Sequence, residues 1–165
     1  MTRLTIFDET GFELRATEDS DAIAVALADI GVWFERWPAA EQDARVGALR
    51  TKGYTTIDTV SVGPDHPDRD AMRAKFLSEH RHAEDEVRYF VEGTGLFTLR
   101  EGGRVYAVLC EAGDLISVPA GMRHWFDMGP RPSFTAIRFF RTPEGWVGDF
   151  TGDPIADRFP RLEAA

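Results

Sequence analysis

Three of the chain's four histidines fall in a patterned arrangement with one glutamate. His80-Arg81-His82 forms an HxH pair, Glu86 follows after three residues, and Gly93 after six more. A second cluster reads Gly113, five residues, Pro119-Ala120-Gly121, two residues and His124. Residues two apart in a strand point to the same face, so both imidazoles of the HxH pair can reach one ion. Three neutral imidazoles and a carboxylate suit Fe(II), Ni(II), Mn(II) or Zn(II), with no thiolate to favour zinc or an iron–sulfur cluster. A divalent ion with a single carboxylate keeps a net positive charge and favours an oxyanion. The same alternation from Glu86 puts Arg88 and Phe90 on the ligand-bearing face, while Val87, Tyr89 and Val91 face the other way. A guanidinium beside a metal is an anion-stabilising arrangement.

The elements that must position these residues are mostly strands. From Glu79 onward the runs VRYFVE, LFTLR, RVYAVLC, DLISVP, RHWFDM and FTAIRFF are separated by Gly93-Thr94-Gly95, Gly102-Gly103, Ala112-Gly113 and Ala120-Gly121, which read as turns. Many short strands at near-regular spacing with such punctuation predict a mainly β fold, a sandwich or small barrel. The first half holds a strand over Leu4–Phe7, VWFERW stopped by Pro38, and TTIDTVSV. Helical patterns fall at about 21–30, 41–52 and 69–78, the last with Met72 and Phe76 at i, i+4. These helices pack outside the strands.

Length and charge bound the rest. The 165 residues suit one domain over 1–165, with a metal-binding core in about 79–141 and no internal repeat. Against 28 acidic residues stand 19 Lys plus Arg, a net charge of −9, and no basic cluster marks a nucleic acid or membrane surface as partner. One cysteine excludes an internal disulfide, and MTRLTIFDETGFEL carries acids where a signal peptide needs its apolar centre. The expectation is a cytoplasmic globular protein.

The two clusters resemble the paired motifs of the cupin superfamily. More narrowly, EHRHAEDEVRYFVEGTGLF, VPAGMRHWFDMG and IRFFRTPEGWVGDFTG resemble the acireductone dioxygenase family, and LTIFDETG and FPRLE resemble its bacterial branch. Many cupins end the second motif with Asn, where this chain has Met128, which is not a ligand position. The resemblance implies a cupin-type β-barrel, or double-stranded β-helix, with a few peripheral helices. It implies His80, His82, Glu86 and His124 as ligands to one Fe(II) or Ni(II) per monomer. Arg88 would generate or hold the substrate dianion, and Glu79 and Asp85 would assist metal incorporation and relay conformational change. The substrate would be an acireductone of methionine salvage, cleaved with O₂. In that family the iron form yields the 2-keto acid precursor of methionine plus formate, and the nickel form methylthiopropionate, formate and carbon monoxide.

Other readings of the same residues stand beside these. Arg88 could pair with an acid across the sheet, and Glu79 and Asp85 could be a solvated turn and a helix-end acid. Phe90, Phe126 and Trp146 read as core aromatics before pocket lining. His66 reads as a solvated loop residue, Cys110 as an inert buried thiol, and Arg100 and Arg104 as exposed hairpin charges. The stretch 142–153 carries Trp146 and Phe150 and should fold back onto the barrel, with a lid over the pocket mouth as its further possibility. A flavonol- or diketone-type dioxygenase, an isomerase, and a non-enzymatic metal-dependent binding cupin are the rivals. Arg88 two residues from Glu86 favours the acireductone reading, because a chelating dianion needs that charge.

Overall fold

One strand, Glu86–Glu101, runs through both layers of the molecule. In the computed structural model, which describes residues 1–163, the order is β1 (Arg3–Asp8), β2 (Glu13–Thr17), α1 (Ser20–Ala28), β3 (Trp33–Arg36), α2 (Gln42–Thr51), β4 (Thr56–Val62) and α3 (Arg69–Leu77). There follow β5 (His80–Arg81), β6 (Glu86–Glu101), β7 (Arg104–Glu111), β8 (Asp114–Val118), β9 (Arg123–Asp127), β10 (Phe134–Phe140) and β11 (Asp149–Phe150). Among the described residues no helix is long and apolar enough to cross a membrane.

The first half of β6 pairs antiparallel with β8 and β10, which carry β3 and β4 on their far sides. The second half pairs antiparallel with β7 and β9, and these continue to β1 and β2 and to β5 and β11. The two layers enclose an apolar interior that includes Phe90, Phe97, Val108, Cys110, Ile116, Phe126 and Phe134. The mainly β architecture with peripheral helices is as expected. Among the described residues the strand ladder stays open, ending at β2, β11, β3 and β4.

Gly93-Thr94-Gly95 corrects the sequence reading, because it lies inside β6 rather than in a turn. Gly93 sits at φ +78°, and a Cβ there would lie 1.9 Å from the Ser133 carbonyl oxygen. A Cβ on Gly95 would lie 2.5 Å from the Phe126 ring. These glycines let neighbouring backbone and an aromatic ring close on the strand where it passes between layers, so they serve approach rather than chain reversal. The strand β2 was not anticipated: ELRAT has almost no buried position, so it shows no alternation to read.

Two helices are fixed at their ends or flanks by charged side chains. α1 begins at Asp19, whose carboxylate accepts the Asp21 N–H at 3.3 Å. α3 lies on β9, and Met72 and Phe76 pack toward the core as their spacing predicted. The Arg73 guanidinium donates twice to Asp127 at the end of β9, at 2.8 and 3.2 Å. Asp127 also accepts the Gly129 and Leu162 N–H groups, each at 2.8 Å, and so ties helix, strand and C-terminal tail together.

Burial pushes the Asp127 carboxyl up, but the Arg73 and backbone hydrogen bonds outweigh it and hold its pKa below the usual 3.8. Its contribution to stability is therefore whole above about pH 4 and is lost as the pH falls through the depressed value. Asp127→Ala should cost about 3 kcal/mol at pH 7, since it strands a partly buried guanidinium. Urea unfolding of wild type and variant should show that gap at pH 7 and a narrowing gap below pH 4. A difference under about 1 kcal/mol at pH 7 would contradict the role.

Candidate metal centre

The register of the short strand β5 brings the two motifs together. His80 pairs directly with His124 of β9, with ring centroids 4.4 Å apart. The His82 ring lies 5.1 and 5.2 Å from those of His80 and His124. The ligating atoms of the three imidazoles lie within 4.8 Å of one another.

Each ring is turned by a backbone carbonyl. Nδ1 of His80 faces the Ser78 oxygen at 2.7 Å, Nδ1 of His124 the Met122 oxygen at 3.0 Å, and Nδ1 of His82 the Val147 oxygen at 3.0 Å. A carbonyl only accepts, so each Nδ1 carries its hydrogen and each neutral Nε2 presents a lone pair to the centre. Beside them stands Glu86, the first residue of β6, whose Oε2 lies 2.9 Å from His124 Nε2 and 3.1 Å from His82 Nε2.

That donor set fits a cation. Nε2 of His82 is buried and has no hydrogen-bond partner among the described residues. Lone pairs of imidazole and carboxylate facing each other at 2.9 to 3.1 Å need a proton or a metal ion between them. Two ligands about 2.1 Å from one ion and at right angles to each other stand about 3.0 Å apart.

The electrostatics favour ligation unevenly. Burial, reinforced by the His124 charge, lowers the His80 pKa to about 4, so this ring is neutral over the physiological range. Burial also opposes the charge on His82, but the Glu86 carboxylate outweighs it and leaves the pKa raised above 6.5. Burial pushes Glu86 up, yet Arg88, then His124 and His82, hold it well below the usual carboxylate range.

Arg88 lies where strand alternation predicted. Its Nη2 donates to Glu86 Oε1 at 2.7 Å, and its guanidinium sits over the Phe97 and Phe126 rings at 5.2 and 4.9 Å. Its Nε is buried without a hydrogen-bond partner among the described residues. Directly across the β6–β10 ladder stands Arg138, a second cation that sequence reading missed. Two like charges opposite each other are unfavourable. Glu86 balances one, and Asp58 the other through bonds of 2.9 and 2.7 Å.

These groups line one cavity of about 260 Å³, with His80, His82, Glu86, His124, Arg88 and Arg138 on its polar side. Phe76, Phe126, Phe140, Trp146 and Phe150 form the apolar side. Phe126 and Trp146 are thus pocket residues, contrary to the preference for plain core, because β9 and the C-terminal segment both turn toward the ligands. Phe90 is core, fully buried. The C-terminal segment folds back as anticipated: β11 pairs with β5, and Gly148 joins the cavity wall.

Glu79 and Asp85 do not line the cavity. Glu79 is buried and accepts from Thr151 at 2.7 Å and from Arg100 at 3.1 Å. Arg100 is not the exposed hairpin charge expected: only 13% exposed, it also binds Glu9 and Asp153 at 3.1 and 2.9 Å. No sequence signal marks that cluster, whose three acids come from three separate segments. Asp85 accepts the Ala120 N–H at 2.9 Å and so holds the turn before His124. Cys110 is buried, Arg104 is exposed, and His66 caps the Asp68 N–H in its loop outside the cluster.

Comparison with known proteins bears directly on this cavity. A model of the ARD/ARD' family matches residues 8–148. The acireductone dioxygenase of Methylococcus capsulatus is 54% identical over 179 aligned positions, covering 99% of this chain and 96% of that protein. That of Stutzerimonas stutzeri is 52% identical over 180, covering 99% of each. A solved Bacillus anthracis acireductone dioxygenase with a cadmium ion in its active centre aligns with a TM-score of 0.80 and 28% identity, over 91% of this chain and 98% of that one.

Below the raised pKa of His82, a divalent ion must displace a proton from its Nε2. Apparent affinity for Ni(II) should therefore fall about tenfold per pH unit below that pKa, with proton release on binding. Chelator competition at pH 8, 7 and 6 measures it, and a pH-independent affinity would contradict the assignment.

Proposed function

Since the chain belongs to the ARD/ARD' family and is an acireductone dioxygenase, we propose that His80, His82, Glu86 and His124 hold one Fe(II) or Ni(II) and that Arg88 fixes the substrate dianion. One observation carries this: three lone-pair nitrogens and an ionised carboxylate converge in a cavity whose other polar groups include two guanidiniums. The bound ion supplies Lewis acidity for an enediolate and a template for reaction with O₂.

The protein's own groups prepare that reaction. Glu86 stays ionised through Arg88 and so keeps a negative donor in a buried site. Arg88 Nε has no partner among the described residues and Arg138 stands opposite it, so the cavity offers donors to a doubly charged, planar enediolate. The rings of Phe97 and Phe126 hold the Arg88 guanidinium in place. The apolar wall of Phe76, Phe140, Trp146 and Phe150 suits a thioether tail and keeps water from the enediolate.

The same reading extends to the products. Loaded with iron, the enzyme would break one carbon–carbon bond with O₂ and release formate beside the 2-keto acid precursor of methionine. Loaded with nickel, it would break two such bonds with O₂, giving formate, carbon monoxide and methylthiopropionate. The reading takes residues 1–165 as one domain, active as a cytoplasmic monomer, with the net charge of −9 supporting small-molecule rather than nucleic-acid partners. Glu79 and Asp85 act by supporting the ligands: Glu79 anchors the segment before His80, and Asp85 the turn before His124.

Metal-stripped protein reconstituted separately with Fe(II) and Ni(II) should yield formate from a synthetic acireductone and O₂ in both cases, with carbon monoxide in the headspace only for nickel. Metal bound without turnover in either form would defeat the proposal. Arg88→Ala should retain the ion and lose about 10²- to 10³-fold in kcat. Unchanged kcat in that variant would remove Arg88 from the reaction.

A further inference from the structure

We infer that Lys75 draws the anionic substrate into the cavity, an inference that rests on the acireductone activity proposed above. Three cations line the cavity: Lys75, Arg88 and Arg138. Two are committed, Arg88 to Glu86 at 2.7 Å and Arg138 to Asp58 at 2.7 Å. Among the described residues Lys75 forms no ion pair. The three also differ in depth. The side chains of Arg88 and Arg138 are 11% and 20% exposed, whereas Lys75, in the last turn of α3, is exposed. Lys75 is therefore the outermost positive charge of the cavity and the one whose charge is free.

The residue type points the same way. The chain has 17 arginines and only two lysines, Lys52 and Lys75. A guanidinium suits a fixed, bidentate grip, whereas an ammonium on a four-carbon stem is a mobile point charge. An acireductone is a vinylogous acid, an anion at neutral pH, and it approaches a molecule of net charge −9. Repulsion at long range must be reversed locally, and a free cation at the lip of an apolar-walled cleft does this by focusing the field. Once the anion is seated beside Arg88, the outer ammonium has little left to do. Lys75 thus acts on capture and not on the chemical step, and its effect belongs in kcat/KM.

The test compares wild type, K75M, K75R and K52M as iron-loaded enzymes with a synthetic acireductone across ionic strengths of roughly 20 to 300 mM. K52M makes the same change in net charge at a lysine that does not line the cavity. K75M should lower kcat/KM roughly three- to tenfold at low salt and flatten its salt dependence. Its kcat should stay within about twofold and its metal content should be unchanged. K75R should retain most of the wild-type kcat/KM, and K52M should match wild type. Anaerobic titration with the acireductone should show the same weakening of binding in K75M. Wild-type turnover with K75M matching it, or a K75M loss carried by kcat, would overturn the role of Lys75 and leave the activity standing. A wild type inert toward the acireductone would overturn the activity itself.

Discussion

Everything in this molecule depends on keeping one buried carboxylate charged. Glu86 is almost fully removed from water, an environment that favours the neutral acid. It stays ionised because Arg88 lies two residues along the same strand face, and because two imidazoles stand 2.9 and 3.1 Å from its other oxygen. The Arg88 charge in turn is held on the faces of Phe97 and Phe126, in the layer that closes over the first half of β6. Removing any member of this set leaves another buried charge without compensation, so the aromatic interior and the polar centre stabilise each other.

Around that centre the structure orients the imidazoles with backbone and not with side chains. The Ser78 and Met122 carbonyls come from the turns just before two of the rings, so local chain geometry sets them. The Val147 carbonyl comes from the C-terminal segment, 65 residues along the chain from His82. That segment is therefore part of the centre as well as a wall of the cavity. It is tied down at its far end by Asp153 on Arg100 and by Thr151 on Glu79. The three carbonyls set the ring tautomers and so determine that Nε2 faces the centre.

Strand alternation made much of this legible in the linear chain. Glu86 and Arg88 share one face of β6 because β-structure has a period of two, whereas β5 ends at Arg81 and leaves His82 beyond the strand, so the fold and not alternation alone completes the histidine cluster. The helix carrying Met72 and Phe76 was equally plain from its spacing. Gly93-Thr94-Gly95 misled because glycine serves both turns and close approaches, and only the ring of Phe126 and the Ser133 carbonyl decide which. Phe126 could not be assigned to the cavity, because an aromatic in a β-layer has the same local pattern whether it faces core or substrate, and Trp146 could not because it lies in a turn whose placement only the fold decides.

The sequence by itself determined the donor types, the common strand face of Glu86 and Arg88, and the mainly β framework, since these follow from residue chemistry and from periodicities of a few residues. Tertiary structure alone decided that His80 pairs with His124, that Arg138 stands opposite Arg88, and that Arg100 is a partly buried ion-pair hub and not a free hairpin charge. Each of those facts depends on antiparallel register or on contacts between distant segments. Register is set by how two whole layers pack, and no local pattern in the chain records it.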